Sequence, residues 1–123
     1  MSTRPIVTTV AFNAETITKN TTEYSSAIDL NQRDAVGSFS VQVAVTGDGV
    51  LTLNFQVSND GATFRTPTGS SAIFTSFTKT SGPSADGKAI YTFSPPIARF
   101  LKLAATETGT AADAVLTATL AIQ

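Results

Sequence analysis

Apolar and polar residues alternate over the middle of the chain, and this period of two constrains the fold more than any other feature. In Ser38–Val45 and again in Leu51–Ser58, every second residue is Val, Leu or Phe. Such alternation is typical of strands with one buried face. Thr46–Gly49 lies between the two segments and contains two glycines, which favour a tight turn. We therefore expect these two strands to form a β-hairpin.

Shorter segments with the same alternation occur on both sides of this pair, separated by turns rich in Gly, Pro, Asn and Asp. The further predicted strands are Ile6–Phe12, Tyr24–Leu30, a short return strand at Ala62–Arg65, Ala72–Phe77, Ala89–Ser94, Ile97–Ala105 and Val115–Ile122. The stretch Asn13–Glu23 is compatible with a loop, an edge strand or an extended arm. No segment of about ten residues keeps a helical period.

This series of strands predicts an all-β fold, a single antiparallel β-sandwich of about seven to nine short strands, jelly-roll or immunoglobulin-like in type. The chain has no Cys and no Trp, so the buried disulfide and tryptophan of immunoglobulin domains are missing and a jelly roll is favoured. The 123 residues are enough for one domain. Within it we expect an N-terminal strand or arm at residues 1–23 and the sandwich at residues 24–123.

Composition excludes most catalytic chemistry. The chain has no His and no Cys, so it contains no thiolate nucleophile, no Ser-His-Asp triad and no zinc-finger ligand set. We therefore expect no enzyme activity and assign no catalytic, cofactor-binding or metal-binding residue. A net charge of −1 argues against binding nucleic acid, which needs a basic patch. No apolar run is long enough for a secretory signal or a membrane helix, so we expect cytoplasmic synthesis and no membrane contact.

The polar turns supply the candidate functional side chains. Asp48, Asp60, Asp86 and Asp113 each lie in or beside a turn, where a carboxylate caps backbone N–H groups; alternatively, two such loops converge and bind Ca²⁺. Ser58–Phe64 resembles a Ser-x-Asp-Gly turn followed by an aromatic residue, as in β-sandwich modules of sugar-binding and phage proteins. In that segment the aromatic residue either anchors a hairpin to the core or contributes to a sugar site.

Five of the eight basic residues are scattered through the later loops and strands, namely Arg33, Lys79, Lys88, Arg99 and Lys102. Arg99 and Lys102 bracket Phe100, which offers two interpretations. The three residues form a small contact surface for an anion, or the charges protect a strand edge from pairing with another chain.

The chain as a whole resembles the small virion proteins of tailed bacteriophages. The resemblance covers Gly37–Gln123 and rests on hydroxyl- and Ala-rich strands, the turn Val57–Gly61 and a final strand that runs to the last residue; the Met-Ser-Thr start without a signal fits it. It implies a β-sandwich that forms a homo-oligomer, often a trimer, and binds the major capsid protein as a decoration or cement protein. It places the protein in the virion, after synthesis and assembly in the host cytoplasm.

Three further expectations stand beside this resemblance. Other proteins with the same pattern are tail, baseplate or head–tail adaptor parts, and a carbohydrate-binding module is the alternative from another class. Charged residues make up only 14% of the chain, against about 25% in an average protein, so the surface is cheap to desolvate and suited to being covered by neighbouring subunits. Met1–Glu23 is the candidate contact element, as an arm over an adjacent subunit; an ordinary first strand is the alternative.

Overall fold

The computed structural model describes residues 6–30, 38–109 and 111–123, and these residues form nine β-strands. The strands are β1 (Val7–Ile17), β2 (Thr22–Tyr24), β3 (Ile28–Asp29), β4 (Phe39–Gly47), β5 (Leu51–Ser58), β6 (Phe74–Phe77), β7 (Lys88–Phe93), β8 (Phe100–Glu107) and β9 (Ala114–Ile122). The described ranges contain no helix that is long and apolar enough to cross a membrane. The all-β prediction is confirmed.

The strands build two antiparallel sheets that pack face to face. The first sheet has the order β1-β9-β4-β7, and the second has the order β2-β8-β5-β6, with β3 also pairing with β8. Both arrangements consist of long-range pairs, because neighbours in a sheet come from distant parts of the chain. The structure is therefore an antiparallel β-sandwich, as the sequence predicts.

The predicted hairpin is wrong, although both of its strands are correct. β4 lies in the first sheet, between β9 and β7, whereas β5 lies in the second sheet, between β8 and β6. The glycine-rich turn carries the chain across the core from one sheet to the other. At this crossing Gly49 donates its N–H to the Asp113 carbonyl at 3.0 Å, and a Cβ on Gly49 would lie 2.8 Å from Ala114 Cβ. Alternation defines which side of each strand is buried, but it does not define the partner strand.

The core fills the space between the inward faces of the two sheets. It is made of alternate residues of the four inner strands, among them Val41, Val43, Leu116 and Leu120 from the first sheet and Leu51, Leu53, Leu101 and Leu103 from the second, all 0–1% exposed. Aromatic rings of the two sheets are in contact at one side of the sandwich. The ring centres of Phe55 in β5 and Phe93 in β7 are 5.4 Å apart, and those of Phe74 in β6 and Tyr91 in β7 are 5.1 Å apart. These contacts fix the short strand β6 over the edge strand β7.

Several strand boundaries differ from the prediction for local reasons. β1 continues through Asn13 to Ile17, because the irregular stretch still pairs with β9. The predicted strand Tyr24–Leu30 is divided into β2 and β3. β8 begins at Phe100, since the two prolines and the fully exposed Ile97 that precede it do not join the sheet, and it extends to Glu107. The predicted return strand at Ala62–Arg65 is a single bridge between Val57 and Arg65.

Candidate assembly surfaces

The outward side of the first sheet forms a continuous surface, which we call the outer face. Its residues lie in rows that cross all four strands in register. The central row consists of Val10, Thr119, Gln42 and Ile90, and the next row consists of Thr8, Ala121, Ser40 and Thr92. The remaining outward residues are Thr16, Ala44, Thr46, Lys88, Val115 and Thr117.

Lys88, at one corner, is the one charged residue in these rows, and the exposed Glu15 lies outside them, in the irregular part of the edge strand β1. Val10 and Ile90 are 56% and 67% exposed and lie at opposite edges of the central row. Thr, Ser, Ala and Gln supply most of the rest, because β-branched threonine suits the solvent side of a strand whose other side is apolar. Neutral hydroxyl and methyl groups are cheaper to desolvate than charges, so this surface is suited to burial against another protein.

The two edges of the first sheet differ in their regularity. β1 shows register shifts against β9 between Val10 and Phe12 and between Phe12 and Glu15. Ala14 in this segment has a φ of 49° and donates its N–H to Thr117 Oγ1 at 3.1 Å. β7, at the opposite edge, pairs with β4 residue by residue over its whole length. Bulges of the β1 type hinder the addition of another strand, and β7 has none.

The outward side of the second sheet carries a cluster of Tyr24, Phe64 and Lys102, which we call the aromatic–lysine cluster. Lys102 Nζ lies 4.5 Å from the centre of the Tyr24 ring and 4.4 Å from that of Phe64. These are cation–π distances. No carboxylate of the described residues forms an ion pair with Lys102. The predicted edge protection is wrong for Lys102, because β8 is an inner strand between β5 and β2.

Arg99 and Phe100 lie beside this cluster but have other partners. The Arg99 guanidinium is 5.0 Å from the centre of the Phe100 ring, and its Nε is 3.6 Å from Asp29 Oδ1. Among the other predicted basic residues, Lys79 pairs with Asp48 and Lys88 lies on the outer face. Arg33 lies outside the described residues. The structure therefore separates the basic residues instead of gathering them into one anion site.

The Ser58–Phe64 turn is organised by one carboxylate. Asp60 Oδ1 accepts the backbone N–H groups of Thr63 at 2.8 Å and Ala62 at 2.9 Å, together with the Ser58 hydroxyl at 2.8 Å. These hydrogen bonds, the one from Thr63 first, lower the pKa of Asp60 to about 2. The prediction that this aspartate caps its turn is confirmed.

The prediction that Phe64 anchors a hairpin to the core is wrong. Arg65 pairs with Val57, whose side chain packs against the core. Phe64 is therefore directed to the opposite side of the strand, where it contacts Lys102 instead. Its half-buried ring belongs to the surface of the second sheet.

The remaining turn carboxylates also hold backbone or charged partners. Asp86 Oδ1 accepts the Lys88 N–H at 3.2 Å, and Asp113 Oδ1 accepts the N–H of Lys19 at 2.7 Å. A hydrogen bond and the positive charge from Lys79 lower the pKa of Asp48. In the ranges that the structure describes, no group of three or more acidic residues is placed to hold a metal ion. Asp86 therefore caps its own turn as predicted, whereas Asp113 accepts a backbone N–H from a distant connection and Asp48 pairs with a lysine side chain.

Sequence reasoning missed one polar residue of the core, Glu107. Its side chain is fully buried; Oε1 accepts the Asn20 N–H at 3.0 Å, and Oε2 accepts the N–H groups of Val50 at 2.8 Å and Gly109 at 2.7 Å. These donors come from three connections, β1–β2, β4–β5 and β8–β9. One carboxylate thus ties together the loops at one end of the sandwich.

The proposed N-terminal arm has a position that is partly defined. Of the proposed arm at residues 1–23, the part from Val7 to Ile17 is β1 and pairs with β9, while residues 1–5 lie outside the described part. Contact of this arm with another subunit stays a prediction. A shallow groove of about 300 Å³ lies between β1 and β3, and Asp29 is the only titratable side chain in its lining.

Among the comparisons with known proteins, only the comparison of structures gives a match. No protein-family model matches the chain, and no curated protein matches it. The VP2 subviral particle of infectious bursal disease virus superimposes with a TM-score of 0.61 over 96% of this chain at 16% identity. The chain has a viral capsid-like β-sandwich fold. Structures of the Gx and Gt strains of the same virus give TM-scores of 0.52 and 0.50 at 14% identity, over 98% and 97% of this chain.

This viral capsid-like chain spans about a third of the length of the proteins it matches, 32% in each case. The likeness therefore concerns one sandwich within longer chains. At these identities it describes the fold, and the relationship to tailed bacteriophages stays a prediction.

Proposed function

We propose that this protein is a non-enzymatic structural component of a virion, specifically a decoration or cement protein that stabilises a phage head lattice. In this proposal it is synthesised in the host cytoplasm, forms a homotrimer and binds the major capsid protein. The viral capsid-like fold and the sequence resemblance to small phage virion proteins support a place in the virion. The choice of role within the virion depends on the surface of the molecule.

The observation that carries the proposal is the outer face. Four strands about 4.8 Å apart and six to eleven residues long give it an area on the order of 500 Å². A standard protein interface buries about 800 Å² on each partner. The outer face therefore supplies most of one interface with a single charged side chain, Lys88, at its corner. We assign it to docking against the capsid lattice.

The N-terminal segment is the second proposed contact element. β1 is an edge strand of the same sheet, and it belongs to the segment of residues 1–23. An arm that leaves this edge would reach a neighbouring subunit without crossing the sandwich. Residues 24–123 contain β3 to β9 and the last residue of β2. We keep the division into a contact arm and a sandwich as part of the proposal.

The test adds the purified protein to purified phage capsids that lack it and measures co-sedimentation. Thr119 lies at the centre of the outer face, so Thr119→Glu introduces a charge that docking would bury. We expect capsid binding to weaken by at least about 10-fold. Thr52→Glu is the matched control, since Thr52 is equally half-exposed on an inner strand of the second sheet. Equal effects of both variants, or a strict monomer that ignores capsids, would contradict the proposal.

The alternative within the virion is a tail, baseplate or head–tail adaptor component. It uses the same outer face against a different partner. Co-sedimentation with purified tails instead of heads would support it.

A carbohydrate-binding module is the second candidate function, and one observation favours it. Tyr24 is 51% exposed, and its row continues through Ala104 to Asn54, while Gln56 lies beside Lys102. An exposed aromatic ring on a surface that also carries amide side chains has the composition of a platform for a sugar. Glycan-array binding that is lost in Tyr24→Ala, Phe64→Ala or Asp60→Ala without unfolding would establish this function. Absence of binding to any glycan would eliminate it.

A further inference from the structure

The edges of the two sheets are not equally protected against the addition of another strand. β1 is interrupted by two register shifts, and β2 and β3 have only three and two residues. β6 has four residues, a register shift against β5 and a positive φ of 54° at Ser76. Short length and bulges are recognised ways to prevent edge pairing. β7 is different, because its six residues pair with β4 without any shift.

The backbone groups at the open edge of β7 follow from the hydrogen bonds on its other side. The Val45 N–H bonds to the Gly87 carbonyl, and in an antiparallel pair every second residue bonds to the same neighbour. The N–H and C=O groups of Lys88, Ile90 and Thr92 therefore point away from β4. Asp86 accepts the N–H of Lys88. Within the described residues, the outward groups of Ile90 and Thr92 bond to no other strand.

We propose that β7 pairs antiparallel with β7 of a second copy of this chain across a two-fold axis. The inference rests on the proposed function, in that it names a self-association surface for an assembly protein. With Tyr91 on the axis, Ile90 of each copy lies opposite Thr92 of the other. Each of these two pairs exchanges both N–H···O bonds, which gives four backbone hydrogen bonds. The outward groups that are open in one copy are satisfied in the pair.

The chemistry of β7 fits a second copy better than an unlike partner. The segment from Ala89 to Phe93 has no charged side chain, and the edge at Lys88 is already covered, because Asp86 accepts its N–H and the backbone of Gly82 lies against its carbonyl, so the pairing is confined to Ile90 and Thr92. Residues of even number face outward in both copies, so Ile90, which is 67% exposed, meets Thr92 on the same surface. A two-fold contact is self-complementary by nature.

Pairing at β7 would extend the first sheet from four strands to eight and join two outer faces into one. Pro95 and Pro96 follow the strand and provide no N–H donor, which limits the pairing to the length of β7. A two-fold contact links trimers to one another instead of forming them. The inference is therefore compatible with the proposed trimer.

Cysteine cross-linking tests the register directly, because the chain has no native Cys. Ile90→Cys and Thr92→Cys proteins are mixed and oxidised. In the proposed pair these Cα atoms are about 5.5 Å apart, within the range of a disulfide, whereas the two copies of residue 90 are diagonal neighbours about 7–8 Å apart. We expect the mixture to form a disulfide dimer at least about 5-fold faster than either protein alone. Ser40→Cys, on the outer face but on the inner strand β4, gives the background rate.

Sedimentation equilibrium supplies a readout that does not depend on oxidation. Ile90→Lys places a charge on the open edge and should weaken self-association at least about 10-fold. Val10→Lys is the matched control, since Val10 has similar exposure at the opposite end of the same row. Equal cross-linking of all cysteine proteins, or equal effects of the two lysine variants, would overturn the proposal. If capsid binding persists in that case, the proposed function stands; a monomer that ignores capsids would contradict both.

Discussion

At the scale of the residue, Glu107 shows what a local pattern conveys and what it omits. The inward positions of β8 are Leu101, Leu103, Ala105 and then Glu107. The alternation predicts burial of the fourth position, but the predicted strand Ile97–Ala105 ends before it. A buried carboxylate needs internal donors, and here the donors belong to residues 87, 57 and 2 positions away. No sequence pattern reveals such distant partners.

Replacement of Glu107 by Ala should destabilise the fold. Three backbone N–H groups, those of Asn20, Val50 and Gly109, lose their acceptor, and each buried unsatisfied group costs about 1–3 kcal/mol. We expect the free energy of unfolding to fall by about 3 kcal/mol or more in urea denaturation. Glu15→Ala, at an exposed position of β1, is the control and should change it by less than about 0.5 kcal/mol. Similar small effects of both variants would show that the buried carboxylate does not stabilise the fold by holding the three loops together.

Because of Asp60, the stability of the fold should depend on pH in the acidic range. Its pKa in the folded protein is about 2, below the ordinary value of 3.8, so the folded state binds this proton more weakly than the unfolded chain. The stabilisation is complete above about pH 4 and is lost as the pH falls toward 2. Thermal unfolding of wild type and Asp60→Asn at about pH 5 and about pH 2 measures this dependence. The difference between the two proteins should shrink at the lower pH; a constant difference would contradict the assignment.

At the scale of the element, the sequence predicts which side of a strand is buried more reliably than which strand lies beside it. β4 and β5 alternate as expected and bury Val43 and Leu53, yet they belong to opposite sheets. Two glycines between two alternating strands are compatible with a hairpin and equally with a crossing between sheets, so this pattern does not distinguish them. The outcome depends on β8 and β9, which lie more than 40 residues later in the chain and pair with β5 and β4.

The crossing between sheets should be sensitive to the size of residue 49. A Cβ on Gly49 would lie 2.8 Å from the backbone and side chain of Ala114, so Gly49→Ala forces β9 to move. We expect a loss of about 1–3 kcal/mol in the free energy of unfolding. Gly69→Ala is the control, because its Cβ enters open space and only the positive φ of 84° opposes it, at a cost of about 1 kcal/mol. A smaller effect at Gly49 than at Gly69 would mean that the crossing is loosely packed.

At the scale of the whole molecule, the low charge of the chain can be related to a particular surface. The composition predicts a surface that is easy to cover, and in the structure the rows of the outer face contain a single charged side chain, Lys88, at one corner. The second sheet differs, since Lys102 and its two aromatic rings lie on its outward side. Composition alone could not separate the two faces, because the sheet to which each strand belongs is decided by long-range pairing. The asymmetry predicts that assembly uses the first sheet.

Cryo-electron microscopy of the protein bound to purified phage capsids tests this claim most directly. The account predicts sandwiches seated on the lattice with the outer face, centred on Thr119 and Gln42, against the major capsid protein. The aromatic–lysine cluster would then point away from the capsid. Capsids without bound protein, or sandwiches seated on the second sheet, would contradict the account.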